Sequence, residues 1–128
     1  MFFTRDDPDK VIETSMVRLL ALPWEYNGKI VRVTGFYQSS GFESSELYLS
    51  RDDARIWNLP HSFFLTGVGE KMAQKMSHHY VAVSGRFQAH GETGCSAGII
   101  EEVVSIRFFD EESNTWMRLE ENDPRANQ

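Results

Sequence analysis

Apolar residues in this chain fall mostly at alternate positions, the spacing of strands, with short stretches at helical spacing between them. Lys29 to Gln38 and Tyr80 to Ala89 are β-branched and aromatic and read as strands; Glu46 to Leu49, Ser62 to Leu65 and Ala97 to Phe109 bring the number to five. Ser15 is placed to cap a short helix whose apolar stripe is Met16, Val17, Leu19 and Leu20. Pro23 discourages its continuation, and Trp24 to Gly28 reads as a helical turn closed by glycine. Ser50-Arg51-Asp52-Asp53 has the S-x-x-D spacing of a helix start, and Met72, Ala73 and Met76 predict a short helix within 68–76. Turns are expected at Asp6 to Asp9, at Ser39-Ser40-Gly41 and from His90 to Gly94.

The most informative pattern is an internal echo. Ile30-Val31-Arg32-Val33-Thr34-Gly35-Phe36-Tyr37-Gln38 and Tyr80-Val81-Ala82-Val83-Ser84-Gly85-Arg86-Phe87-Gln88 both read x-V-x-V-[TS]-G-x-[FY]-Q. Alternation puts Val31, Val33, Gly35 and Tyr37 on one face, and Val81, Val83, Gly85 and Phe87 on the equivalent face. A glycine in mid-strand permits the bend or bulge that a small barrel needs at its corners. Five strands with a helix between the third and fourth predict a mainly β fold: a small five-stranded Greek-key barrel with one or two short helices.

Tyr26-Asn27-Gly28-Lys29-Ile30-Val31-Arg32-Val33-Thr34-Gly35-Phe36, followed by Leu47-Tyr48-Leu49-Ser50, Tyr80 to Phe87 and Gly98-Ile99-Ile100, resembles the OB-fold pattern. The run is similar to a group of small bacterial proteins with a Y-x-G-K-x-V-x-V-x-G-F … L-Y-L-S pattern, largely of unassigned function. The resemblance covers roughly residues 15–109 and implies an OB-like barrel. It implies little about activity, since this fold hosts many unrelated functions.

Composition adds limits. At 128 residues the chain has room for one hydrophobic core. The net charge of −6 is unevenly spread: residues 1–109 hold thirteen acids and eleven bases, and residues 110–128 hold six acids and two bases. A near-neutral barrel domain over 1–109, with its N-terminal helix, followed by an acidic segment over 110–128, is the expected organisation. The segment reads first as a solvated tail, and its Trp116, Met117 and Leu119 support the alternative of an arm that meets a basic partner. The start, Met1-Phe2-Phe3-Thr4-Arg5, lacks the apolar core of a secretory signal, and no apolar run is long enough for a membrane helix. A cytoplasmic protein is expected.

Catalytic patterns are sparse. Adjacent His78 and His79 point to opposite faces of a strand, and His61 and His90 stand alone, so no metal site is expected. The single Cys95 excludes an intrachain disulfide, and neighbouring carboxylates such as Asp52-Asp53, Glu101-Glu102 and Glu111-Glu112 do not form an acid–base pair by adjacency. No phosphate-loop motif occurs around Gly67 or Gly91, and no cofactor is implied. An enzyme is not indicated.

Binding remains. Three tryptophans and nine phenylalanines suit contact with another protein, since tryptophan is enriched at hot spots. Trp57 and the acidic stretch carrying Asp110, Glu111, Glu112, Trp116, Glu120 and Glu121 are the expected contact residues. An acidic patch facing a basic toxin domain would make this an immunity protein. The alternative is a single-stranded nucleic-acid module using Arg32, Phe36 and Arg86, with the acidic segment working against phosphate.

Overall fold

The structure is a computed structural model and describes residues 10–39, 45–89 and 96–119. The Ser40-Gly41 and His90 to Gly94 turns, Cys95, Glu120 and Glu121 lie outside the described residues. Seven strands form one sheet: β1 (Val11–Glu13), β2 (Ile30–Ser39), β3 (Ser45–Tyr48), β4 (Ser62–Leu65), β5 (His79–Gln88), β6 (Ile99–Asp110) and β7 (Thr115–Leu119). Three α-helices accompany them: α1 (Met16–Ala21), α2 (Arg51–Arg55) and α3 (Glu70–Met76). The fold is mainly β, with two strands more than the five expected; the three helices stand at three places where the sequence pattern put helical segments, against a summary expectation of one or two.

Local chemistry explains each helix. The Ser15 hydroxyl accepts the Arg18 N–H and opens α1, which stops at Leu22 ahead of Pro23. Ser50 accepts the Asp53 N–H at 3.2 Å and donates its hydroxyl to Asp53 Oδ2 at 2.9 Å, a reciprocal cap that starts α2. Helix α3 buries Met72, Ala73 and Met76 on one face, as the helical spacing requires.

Strand β2 lies antiparallel to both β3 and β5; β3 pairs β4, β4 runs parallel to β6, and β6 lies antiparallel to β5. The pairings therefore run in a circuit, β2-β3-β4-β6-β5 and back to β2. At its margins, β1 adds in parallel to the start of β2, and β7 folds back antiparallel on β6. Residues 110–119 thus enter the sheet through the β6–β7 hairpin. Asn114 takes a left-handed φ of 58° in its turn, a conformation asparagine tolerates better than most.

The two echo strands pair with each other. Val33 stands opposite Val83, Val31 opposite Gly85, and Gly35 opposite Val81. The ladder thus has a local two-fold centred on Val33 and Val83, and each motif meets its own copy in reverse. Val31, Val33, Val81 and Val83 are fully buried with Tyr37, Leu47, Phe63, Phe87, Met76 and Ile100. Burying each valine contributes roughly 1.5–3 kcal/mol over leaving it in water. The two glycines sit where chains come closest. A Cβ on Gly35 would lie 2.7 Å from the Tyr48 carbonyl oxygen, and one on Gly85 would lie 2.9 Å from that of Glu101.

Candidate functional site: the cleft between α2 and the β6–β7 hairpin

The alternation that buries the valines turns Arg32, Thr34, Phe36 and Gln38 to the other face of β2, with Tyr80, Ala82 and Ser84 beside them on β5. Further along the sheet Ala82 pairs with Arg107, Arg107 with Arg118, and Phe109 with Trp116. Rings gather at one end of this face. Phe36 and Tyr80 meet edge to face at 5.1 Å, and Phe109 and Trp116 at 5.3 Å. Such pairs add roughly 0.5–1.5 kcal/mol each beyond their area burial.

Arg51, in the first turn of α2, ties the helix to this face. Its guanidinium carbon lies 5.5 Å from the Phe36 ring centre and 5.9 Å from that of Tyr80. The same group donates to Glu111 Oε1 at 2.6 Å, and the Arg51 backbone N–H donates to the Tyr80 hydroxyl at 3.2 Å. Helix α2, strands β2 and β5 and the β6–β7 hairpin are thereby locked at one corner.

The segment after α2 is held from within. Asp53 Oδ1 accepts from Asn58 Nδ2 at 2.9 Å and lies 3.2 Å from His61 Nδ1. Burial alone would raise the Asp53 carboxyl, but hydrogen bonds from Asn58, Ser50 and His61, with the charge of His61, outweigh it. The net effect holds its pKa below the usual carboxylate range. This clip fixes a segment that presents Ile56 and Trp57 to solvent, 71% and 52% exposed. Trp57 has a φ of 54°.

A cleft of about 490 Å³ opens at this corner. Phe36, Gln38 and Ala54 line it together with Arg51, Arg55, Trp57, His78 and Glu111. His78 has a φ of 71°, so two of the four described non-glycine residues with left-handed backbone stand on this one cleft. Each costs on the order of 1–2 kcal/mol, and strain of this kind gathers at functional sites. Beside the cleft, Tyr48 packs with Phe36 and Ala54, and its buried hydroxyl has no hydrogen-bond partner among the described residues. Burial, with the neighbouring charge of Glu46, pushes its pKa to about 12.

The structure brings Trp57, Glu111 and Phe36 to this cleft, and Trp116 sits on the hairpin that carries Glu111. Asp110 accepts from the Glu112 N–H and the Ser113 hydroxyl, so Asp110 and Glu112 shape the hairpin turn. Arg32, Phe36 and Arg86 are not brought together. Arg86 pairs with Ile30, six residues or roughly 20 Å along the ladder from the Phe36–Tyr80 pair. It donates to Glu102 and to the Gly28 carbonyl, while Arg32 donates to Ser84 and lies 3.5 Å from Glu13. Phe36 is buried under Arg51 and Tyr80.

Arg51, Gln38, Arg55 and His78 were not among the expected contact residues. The S-x-x-D start does place Arg51 and Arg55 on one helical face, four apart, which is the signal that points to them. Among the described residues no group of three or more His, Cys, Asp or Glu side chains is placed to hold a metal ion, and no helix is long and apolar enough to cross a membrane. In comparisons with protein-family models, curated proteins and solved structures, nothing matches this chain.

Proposed function

We propose that the chain is a non-enzymatic cytoplasmic binding protein on an OB-like barrel, acting by protein–protein contact, with a toxin-neutralising immunity protein as its specific form. The circuit of β2, β3, β4, β6 and β5, with α3 between β4 and β5, supports the barrel reading, since this is a Greek-key order. On that reading β1 and β7 are additions at the margin of the barrel.

The observation that carries the function is the β6–β7 hairpin. It holds Trp116, 46% exposed, against Phe109 and beside Asp110, Glu111 and Glu112. An exposed indole on a hairpin whose turn carries carboxylates suits a basic partner, which the charge steers and the indole then grips. Ile56 and Trp57 extend the surface across the cleft.

Titration against the product of the adjacent reading frame tests this. The expected result is association that slows with added salt and weakens in W116A and in the double variant E111K/E112K. Single-stranded nucleic acid is a second reading. One observation favours it: Arg107 stands directly opposite Arg118, which sets two cations side by side on the face that carries the rings. Micromolar binding of labelled oligonucleotides that falls steeply with salt, with no binding of the adjacent product, would overturn the protein-contact reading.

A further inference from the structure

We propose that the cleft between α2 and the β6–β7 hairpin binds a mononucleotide, a planar heterocycle carrying a phosphate. This goes beyond the protein contact and does not rest on it. Gln38 is 9% exposed and lines the cleft, and its carboxamide has no hydrogen-bond partner among the described residues. Among the described residues only the Tyr48 hydroxyl is both fully buried and without a partner, so the Gln38 amide group is reached from the cleft. It offers two donors and an acceptor in one plane, the pattern that matches the polar edge of a nucleobase.

The charge and the ring are in place around it. Arg55 and His78 line the same cleft, and neither side chain has an anionic partner among the described residues. The planar fork of Arg55 suits the oxygens of a phosphate. Trp57, held by the Asp53 clip, supplies an exposed indole on which a base can stack. Arg51 is already committed to Glu111 and to two rings, so it neutralises the nearby carboxylate and frames the site. The space, about 490 Å³, falls within the roughly 300–1,000 Å³ range of small-ligand pockets. A carboxylate from a partner would engage Arg55 and His78 yet leave Gln38 and Trp57 without a role, and the nucleotide uses all four.

Titration calorimetry and amide chemical-shift mapping with AMP, GMP, CMP and UMP test the proposal, with inorganic phosphate and adenosine as separate arms. At least one nucleotide is expected to bind with a Kd below about 1 mM and to shift Gln38, Arg55 and Trp57. R55E weakens it about tenfold or more by removing the phosphate partner. W57A weakens the nucleotide and leaves phosphate alone unchanged, while Q38L alters the ranking of the four bases. W116A, whose melting curve shows the hairpin's contribution, leaves nucleotide affinity as it was and so separates this site from the protein contact. Three results would overturn the proposal: no nucleotide bound at millimolar concentration, inorganic phosphate matching the nucleotides, or affinity unchanged in folded R55E and W57A.

Discussion

Arg51 and Glu111 are sixty residues apart in the chain and meet at 2.6 Å where α2 touches the β6–β7 hairpin. Both side chains are about half exposed, so the ion pair itself contributes under about 1 kcal/mol and is screened by salt. The rings beneath Arg51 add a second attraction of roughly 0.5–1 kcal/mol. R51A is therefore expected to destabilise more than E111Q in urea unfolding. The E111Q loss should shrink in high salt, while most of the R51A loss remains.

Asp53 makes stability depend on pH with a definite sign. Its carboxyl titrates lower in the folded chain than in the unfolded one, so in acid the unfolded state binds more protons. The stabilisation is fully present above the unfolded value near pH 4 and is lost as pH falls through the lower, folded value. Urea unfolding between about pH 2 and 6 is expected to show a shallower pH dependence in D53N than in the parent. S50A, which removes the cap of the same helix, is expected to cost about 1 kcal/mol near neutral pH.

Tyr48 carries a buried hydroxyl that none of the described residues uses. Removing a buried polar atom with no partner is neutral or favourable, so Y48F is expected to keep or raise stability by up to about 1 kcal/mol. Ultraviolet titration provides a second check: the component lost in Y48F should ionise only near pH 12, above the ordinary tyrosine range.

Gly35 and Gly85 are fixed by space. The atoms nearest an added Cβ include backbone oxygens at 2.7 and 2.9 Å, which cannot swing aside as a side-chain end can. G35A and G85A are each expected to cost about 1–3 kcal/mol or more in chemical denaturation. Gly28 differs: nothing lies within 4 Å, and only its φ of 80° opposes a side chain, so G28A should cost about 1 kcal/mol.

What could be read in advance was what the chain encodes locally. The valine alternation and paired glycines announced β2 and β5, and Ser15 and Ser50 announced the starts of α1 and α2. Strand β1 has three residues and exists through its register with Ile30 to Arg32, which no local pattern contains. Strand β7 lies in an acidic stretch that resembles a solvated segment. Its order comes from the edge of β6, and the one local sign of it is Asn114, a turn former between Phe108-Phe109 and Trp116-Met117. The cleft was less legible still. It assembles the end of β2, the face of α2, the left-handed His78 and the hairpin, and their closeness is a property of the topology. Arg86 shows the converse: its place in the echo suggested a partner for Arg32 and Phe36, and the antiparallel register carries it to the far end of the ladder.

The two-fold centred on Val33 and Val83 reaches beyond the native contacts. Each motif is matched to its own reversed copy, so a β2 strand from one molecule can align on β2 of another with Val33 facing Val33 and Val31 facing Gly35. Homotypic strand exchange is therefore expected to compete with correct folding on refolding, and the tether of some forty residues between β2 and β5 favours the intramolecular pairing. Dilute chains close on themselves. Crowded ones, refolded at high concentration, are expected to pass into dimers joined through the echo.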